Sequence, residues 1–305
     1  MQRLHSNIRQ AFPPAPTFTA ANVGDLTGKV YLVTGANTGV GKALAGLLYA
    51  AHARVYVAAR SEAKAREAIA ALEAAHPASR GALLFLPLDL ADLSAVRAAA
   101  ADFLARESRL HVLFNNAGVM TPPQGTTTAQ GYEQQLGTNC VGTFLFSRLL
   151  APLLLATAAT EPPGAVRVVW VSSSAADILS PAGGVPLDNL DYHVDRTPAY
   201  KYGVSKAGNY YHATEFARRY RASGVVSVPL NPGNLKSELA RHRGWVERKV
   251  LGLFTYDPMY GAYTELFAGL SPEVTMEKSG VWGTFLPSHP LHELEGKAQY
   301  LHEPR

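Results

Sequence analysis

At 305 residues the chain is long enough for one large α/β domain or two small ones, and 47% hydrophobic against 17% charged residues suits a globular protein with a substantial core. A formal charge of +4 and a pI near 9.1 permit an anionic partner, but the basic residues are scattered and their densest cluster, Arg241 to Arg243, is short; this argues for an anionic cofactor and against a nucleic-acid face. The single cysteine, Cys140, excludes an internal disulfide, the N-terminus lacks the apolar core of a secretory signal, and the most apolar stretch, Leu149 to Ala159, contains Pro152 and is too short to span a bilayer.

In chain order, residues 1–24, with Pro13, Pro14 and Pro16, read as an extended leader. Lys29 to Thr34 is a short β-branched run of the kind that fills a strand covered on both faces. A glycine-rich turn follows, then a helix over Lys42 to Ala51 and a second strand over Arg54 to Ala58. Ser61 opens a long Ala/Glu/Lys helix that ends before Pro77. Ala82 to Leu88 is a strand, Leu93 to Ser108 a helix, and Val112 to Phe114 a fourth strand. Tyr132 to Ala156 reads as one long helix, kinked or broken near Pro152. Strands over Val166 to Val171 and Val225 to Pro229 flank a helix over Tyr202 to Ala222. Such alternation predicts a single Rossmann-type, doubly wound parallel sheet with helices on both faces, in one domain over residues 25–305. In such sheets ligands sit at the carboxyl ends of the strands.

Between the first strand and helix stand Gly35, Gly39 and Gly41, with Thr38 and Val40 among them. Glycines there let the backbone approach a pyrophosphate whose charge faces the helix N-terminus; their alternative use is tight packing. Beyond the second strand, where an NAD site places an acid, the sequence has Arg60. Arg60 can fork onto a 2′-phosphate, which favours NADP(H). Asp89, after the third strand, suits either the adenine amino group or the N-cap of the next helix.

Thr34-Gly35-Ala36-Asn37-Thr38-Gly39-Val40-Gly41, Asn115-Asn116-Ala117-Gly118, Ser173, Tyr202-Gly203-Val204-Ser205-Lys206 and Asn231-Pro232-Gly233 occur in this order. Together they resemble the short-chain dehydrogenase/reductase family, in the subgroup of retinol dehydrogenases, WW-domain oxidoreductases and their fungal relatives. The resemblance covers about residues 25 to 240. It implies an NADP(H)-dependent oxidoreductase that moves hydride between nicotinamide and an alcohol or carbonyl carbon of a hydrophobic small molecule, in secondary metabolism; a cytoplasmic location is expected from the lack of an evident signal peptide or transmembrane segment.

A tyrosine hydroxyl has a pKa of about 10, too high for efficient proton transfer at neutral pH, and a nearby cation lowers it. Tyr202 and Lys206, four apart at the start of a helix, share one face. The resemblance makes Tyr202 the proton-handling residue and puts Lys206 on the nicotinamide ribose as well. It gives Ser173 the substrate oxygen, with Ser174 as the alternative register. It assigns to Asn139, unfavourable within a helix by propensity, a local distortion and a water linked to the lysine. Asn116 and Gly118 approach the cofactor, and Pro232, Gly233, Leu235 and Ser237 match the contact to the carboxamide side. An insertion over Pro181 to Arg196 alters substrate access.

Residues 231–270 fall where the family keeps a substrate lid, and Trp245, Phe254, Tyr256, Tyr260 and Tyr263 offer aromatic walls or ordinary packing. Helices over Tyr132 to Ala156 and Tyr202 to Ala222 match those that pair subunits in a homodimer, although apolar faces equally fit a monomer's core. No metal site is expected. The rival reading is a catalytically silent nucleotide-binding or redox-sensing module, but such modules usually lose the Tyr, Lys or Ser that this chain keeps.

Overall fold

The computed structural model describes residues 15–236 and 255–281. Six strands form one parallel sheet: β1 Val30–Thr34, β2 Arg54–Ala59, β3 Ala82–Pro87, β4 Val112–Asn115, β5 Val166–Val171 and β6 Val225–Leu230. Their order is β3-β2-β1-β4-β5-β6. Every residue of β1, β5 and β6 is buried, as continuous apolar runs require when helices cover both faces. The chain winds outward from β1 in one direction and from β4 in the other. The carboxyl ends of β1 and β4 therefore flank the crevice where such sheets bind ligands.

Neighbouring strand residues feed two cores, because successive side chains point to opposite faces. Val33, Val57, Phe114, Val169 and Val228 pack beneath α1 (Gly39–Ala50), α2 (Glu62–Ala75) and α7 (Pro258–Leu270). Leu32, Leu86, Leu113, Val168 and Trp170 pack on the other face beneath α3 (Leu93–Arg106), α4 (Thr143–Ala158) and α6 (Pro198–Tyr220). A short α5, Ala175–Ile178, follows β5.

Several details depart from the sequence reading. The helix expected over Tyr132 to Ala156 starts after Tyr132 and opens with π-helical turns, Leu136–Gly142, that run directly into α4. Pro152 does not break it: the proline is exposed while Leu150, Ala151 and Leu154 stay buried, so packing holds the helix through the missing bond. The continuous helix Leu136–Ala158 is long and apolar enough to cross a membrane by length and composition, which the shorter Leu149 to Ala159 stretch was not. Its most apolar window is half buried in the fold, and it carries the buried polar residues Asn139 and Ser147.

The tyrosine-bearing helix begins earlier than expected. Thr197 accepts a bond from the Tyr200 N–H at 3.3 Å and Pro198 fills the first turn. Tyr202 thus lies about one turn and Lys206 about two turns inside the helix. Within the stretch read as a leader, Phe18 meets Phe267 edge-to-face at 5.9 Å, and Val23 packs on the α7-side core. The stretch expected as a lid divides: Trp245, Phe254 and Ser237 lie outside the described residues, whereas Pro258–Leu270 is a covering helix of the sheet with Tyr263 packed on its core.

Candidate active site

The glycine turn is tied to the end of β2 where it begins. Gly35 donates to the Ala58 carbonyl at 2.7 Å and has φ of 69°, and Gly39 has φ of 55°, both in the left-handed region that glycine tolerates. At Gly41 a Cβ would sit 2.5 Å from Asn116 Nδ2 and 2.7 Å from the Gly35 carbonyl, so this position leaves no room for a side chain. Thr38 is the N-cap residue of α1 but makes no side-chain cap bond, leaving the first-turn N–H groups to another acceptor. Val40 lies against Gly261 of α7.

The end of β4 is stitched to this turn. Asn116 Nδ2 donates to the Thr34 carbonyl at 2.7 Å, and Thr34 Oγ1 accepts from the Ala117 N–H at 2.9 Å. Thr34 is a contributor the sequence reading left without a role; a hydroxyl on the last residue of a buried strand was the signal. Gly118 then passes so close to Lys206 Nζ and Asn139 Oδ1 that a Cβ would stand 3.2 Å from each.

Asn139 is fully buried in the π turns. Its Oδ1 accepts from the Val119 N–H at 2.8 Å, while its Nδ2 donates to the Val119 carbonyl and the Ser205 hydroxyl, both at 2.9 Å. Ser205 passes the chain on to the Tyr202 carbonyl at 2.8 Å. The Asn139 amide therefore braces the helix that carries Tyr202 and Lys206. Ser205 was hidden inside the Tyr-x-x-x-Lys spacing.

Lys206 is buried and donates from Nζ to the carbonyl of Val171, the last residue of β5, at 2.9 Å. Its ammonium stands 5.8 Å from the centre of the buried Tyr202 ring. Burial pulls the Lys206 amine down to about 8, opposed by the acidic groups nearby, Cys140 and Glu265, to the extent that they ionise. Ser172 donates to the Lys206 carbonyl at 2.6 Å, which locks the strand end to the helix. Ser173 is partly exposed; its Oγ accepts the Ala175 N–H at 3.2 Å, which leaves its proton for another group. Ser174 is partly exposed beside it.

The remaining candidates ring the same strand ends. Arg60 is exposed just beyond β2. Asp89 accepts the Ala91 N–H at 2.9 Å, while Asp92, not Asp89, caps α3. Gly233 has φ of 95° and donates to Asn231 Oδ1 at 3.3 Å. Pro232 and Leu235 share that loop, which bridges in parallel from Leu235 to Tyr256 ahead of α7. No cluster of His, Cys, Asp and Glu suited to a metal ion occurs among the described residues.

The short chain dehydrogenase family model matches residues 29–185, which hold the glycine turn, the Asn116–Gly118 segment, Asn139 and Ser173. A short-chain dehydrogenase/reductase of Phomopsis amygdali is 56% identical over 90% of this chain and 85% of its own length. The chain belongs to the short-chain dehydrogenase/reductase family. A second family member, sthC of Phaeosphaeria nodorum, is 48% identical over 93% of this chain and 92% of its own. The fold matches that of an NADPH-bound carbonyl reductase from chicken fatty liver with a TM-score of 0.64 at 24% identity, over 85% of this chain and 97% of that one. As a short-chain dehydrogenase/reductase the chain is an oxidoreductase on a Rossmann fold, with fungal relatives.

Proposed function

We propose that this chain is an NADP(H)-dependent oxidoreductase acting between an alcohol and a carbonyl on a hydrophobic small molecule of secondary metabolism, with Tyr202 handling the proton. The observation that carries the reading is the buried Lys206 ammonium 5.8 Å from the Tyr202 ring, at the strand ends beside the glycine turn. A cradle that a Cβ would fill at Gly41, beside the uncapped first turn of α1, fits a dinucleotide pyrophosphate. In this reading Gly35, Thr38, Gly39, Val40 and Gly41 line the phosphates, Arg60 takes a 2′-phosphate, Asp89 the adenine, and Asn116, Gly118, Pro232, Gly233, Leu235 and Ser237 the nicotinamide half. Held there, the nicotinamide would supply or accept the hydride.

The chain's own residues do the rest. Ser173, or Ser174 in the other register, holds the substrate oxygen, and Tyr202 donates a proton to it in reduction or removes one in oxidation. Lys206 lowers the cost of the phenolate through its field and reaches the ribose hydroxyls. Because the Asn139 amide is committed to Val119 and Ser205, its part in a proton relay falls to its backbone carbonyl within the π turns. The NADPH named for the chicken carbonyl reductase supports the cofactor choice by analogy of fold. Retention of Ser173, Tyr202 and Lys206 together argues against a silent nucleotide-binding module.

The test is coenzyme absorbance with NADPH and with NADH against a panel of hydrophobic ketones, aldehydes and alcohols. Turnover that prefers NADPH on at least one carbonyl–alcohol pair is expected. Tight coenzyme binding without turnover across the panel would return the chain to the silent-module reading.

A further inference from the structure

Among its apolar positions α7 carries one acidic residue, Glu265, which is completely buried and whose two carboxylate oxygens find no hydrogen-bond partner among the described residues. Isolated buried charge is costly, and an unpaired carboxylate survives in such a place only with a compensating charge or as the neutral acid. The helix fixes where it lies. One turn earlier, Gly261 packs against Leu235 and Val40 of the cofactor crevice; one turn later, Gly269 packs against Phe114 of β4. Glu265 is the midpoint of that stripe, so it sits on the sheet face that holds Phe114 and Val171, near the carboxyl ends of β4 and β5. Lys206 brings its ammonium to that same end, on the Val171 carbonyl, from the opposite face.

The surrounding charges leave Glu265 with few alternatives. Strands β4 and β6 contribute no titratable side chain. Arg167 of β5 is spent on the carbonyls of Gly164, Ala268 and Ser271, at the far end of α7. From α1 come Lys42 and Tyr49, and from α7 itself Tyr260 and Tyr263; among the described residues, Lys206 is the group whose charge acts on the Glu265 carboxyl. Lys206 in turn faces Tyr202 on its own helix, the Cys140 thiol from the π turns, and Glu265. Burial pushes the Cys140 thiol up to about 12, so it stays neutral where the enzyme works. Glu265 is raised by burial to about 8, against the pull of Lys206, and loses its proton in the range where Lys206 loses its own.

We propose that Glu265 is a positioning residue for Lys206: its carboxylate, buried across the end of β5, supplies the countercharge that keeps the ammonium protonated as pH rises. The inference rests on the reading of Lys206 as the cation that acts on Tyr202. Glu265 touches neither substrate nor the reacting atoms; it sets how far into alkaline solution the Tyr202–Lys206 pair keeps working.

The experiment is an NMR titration of the full chain with isotope-labelled lysine, the Lys206 signal being assigned by its loss in Lys206→Arg. In Glu265→Gln the Lys206 midpoint should fall by about half to one pH unit, a roughly threefold to tenfold weaker hold on its proton, while Glu265→Asp stays closer to wild type. By reciprocity, the labelled carboxyl signal of Glu265 should titrate higher in Lys206→Met by the same factor, and this measurement serves if Glu265→Gln does not fold. Equal Lys206 midpoints in wild type and Glu265→Gln, or a Glu265 midpoint indifferent to Lys206, overturn the proposal. Turnover that survives Tyr202→Phe would instead defeat the proton-handling reading and leave the titration result standing.

Discussion

The amide of Asn139 and the backbone of Val119 bond to each other in both directions, at 2.8 and 2.9 Å. This two-way clamp joins the π turns to the segment beyond β4, and the same amide reaches Ser205 beside Tyr202. In Asn139→Ala the Val119 N–H and carbonyl lose their partner in a partly buried setting, and the buried Ser205 hydroxyl loses a donor. The expected cost is about 2–4 kcal/mol of stability, read as a lowered thermal midpoint, together with reduced turnover. An unchanged midpoint would mean that the clamp is dispensable.

Gly41 leaves the space in which the glycine turn and Asn116 meet. Gly41→Ala places a methyl group 2.5 Å from Asn116 Nδ2 and 2.7 Å from the Gly35 carbonyl. NADPH titration followed by fluorescence should show affinity reduced at least about tenfold, with strain of about 1–3 kcal/mol in the fold. Wild-type affinity in this variant would remove the turn from the cofactor site.

Arg60 is exposed beyond the end of β2, where a ribose 2′-phosphate would lie. Arg60→Asp removes a charge-assisted contact and adds repulsion, so NADPH should bind about 10- to 100-fold more weakly while NADH changes little. Equal losses for the two coenzymes would contradict NADP(H) preference.

His212 stacks on Phe144 at 4.8 Å between ring centres, and its Nε2 is enclosed with no hydrogen-bond partner among the described residues. Burial pulls the imidazole down to about 4 from 6.5. The folded state therefore holds this ring neutral, and its contribution to stability is present above about pH 6.5 and is lost as pH falls towards 4, up to about 3 kcal/mol. In denaturant unfolding at several pH values, His212→Phe should flatten the acid side of the stability profile. A wild-type slope between pH 6.5 and 4 in that variant would contradict the assignment.

The sheet was legible because its strands are short β-branched runs separated by helices, and the glycine turn and the Tyr202–Lys206 spacing announced the strand ends where chemistry sits. What stayed hidden was three-dimensional. The spacing of Tyr202 and Lys206 fixes a shared helix face, but nothing in it tells that the ammonium is anchored on Val171 or that Ser205 relays Asn139 to the Tyr202 carbonyl. The π turns lie where Asn139 meets its partners on Val119 and Ser205, a tertiary demand that overrides local propensity. Pro152 misled for the complementary reason, since a proline on an exposed helix side is tolerated when the opposite side is packed. Glu265 had a weak signal, a lone acid in the apolar run Gly261 to Leu270, whose meaning depends on a lysine distant in sequence.

The phenol at position 202 is the centre of the account, and its replacement is the most direct trial. On a carbonyl substrate found in the panel, Tyr202→Phe should keep NADPH affinity and thermal stability near wild type and lose turnover by about 100-fold or more. Turnover equal to wild type, with the coenzyme bound normally, would contradict the assignment of proton transfer to Tyr202.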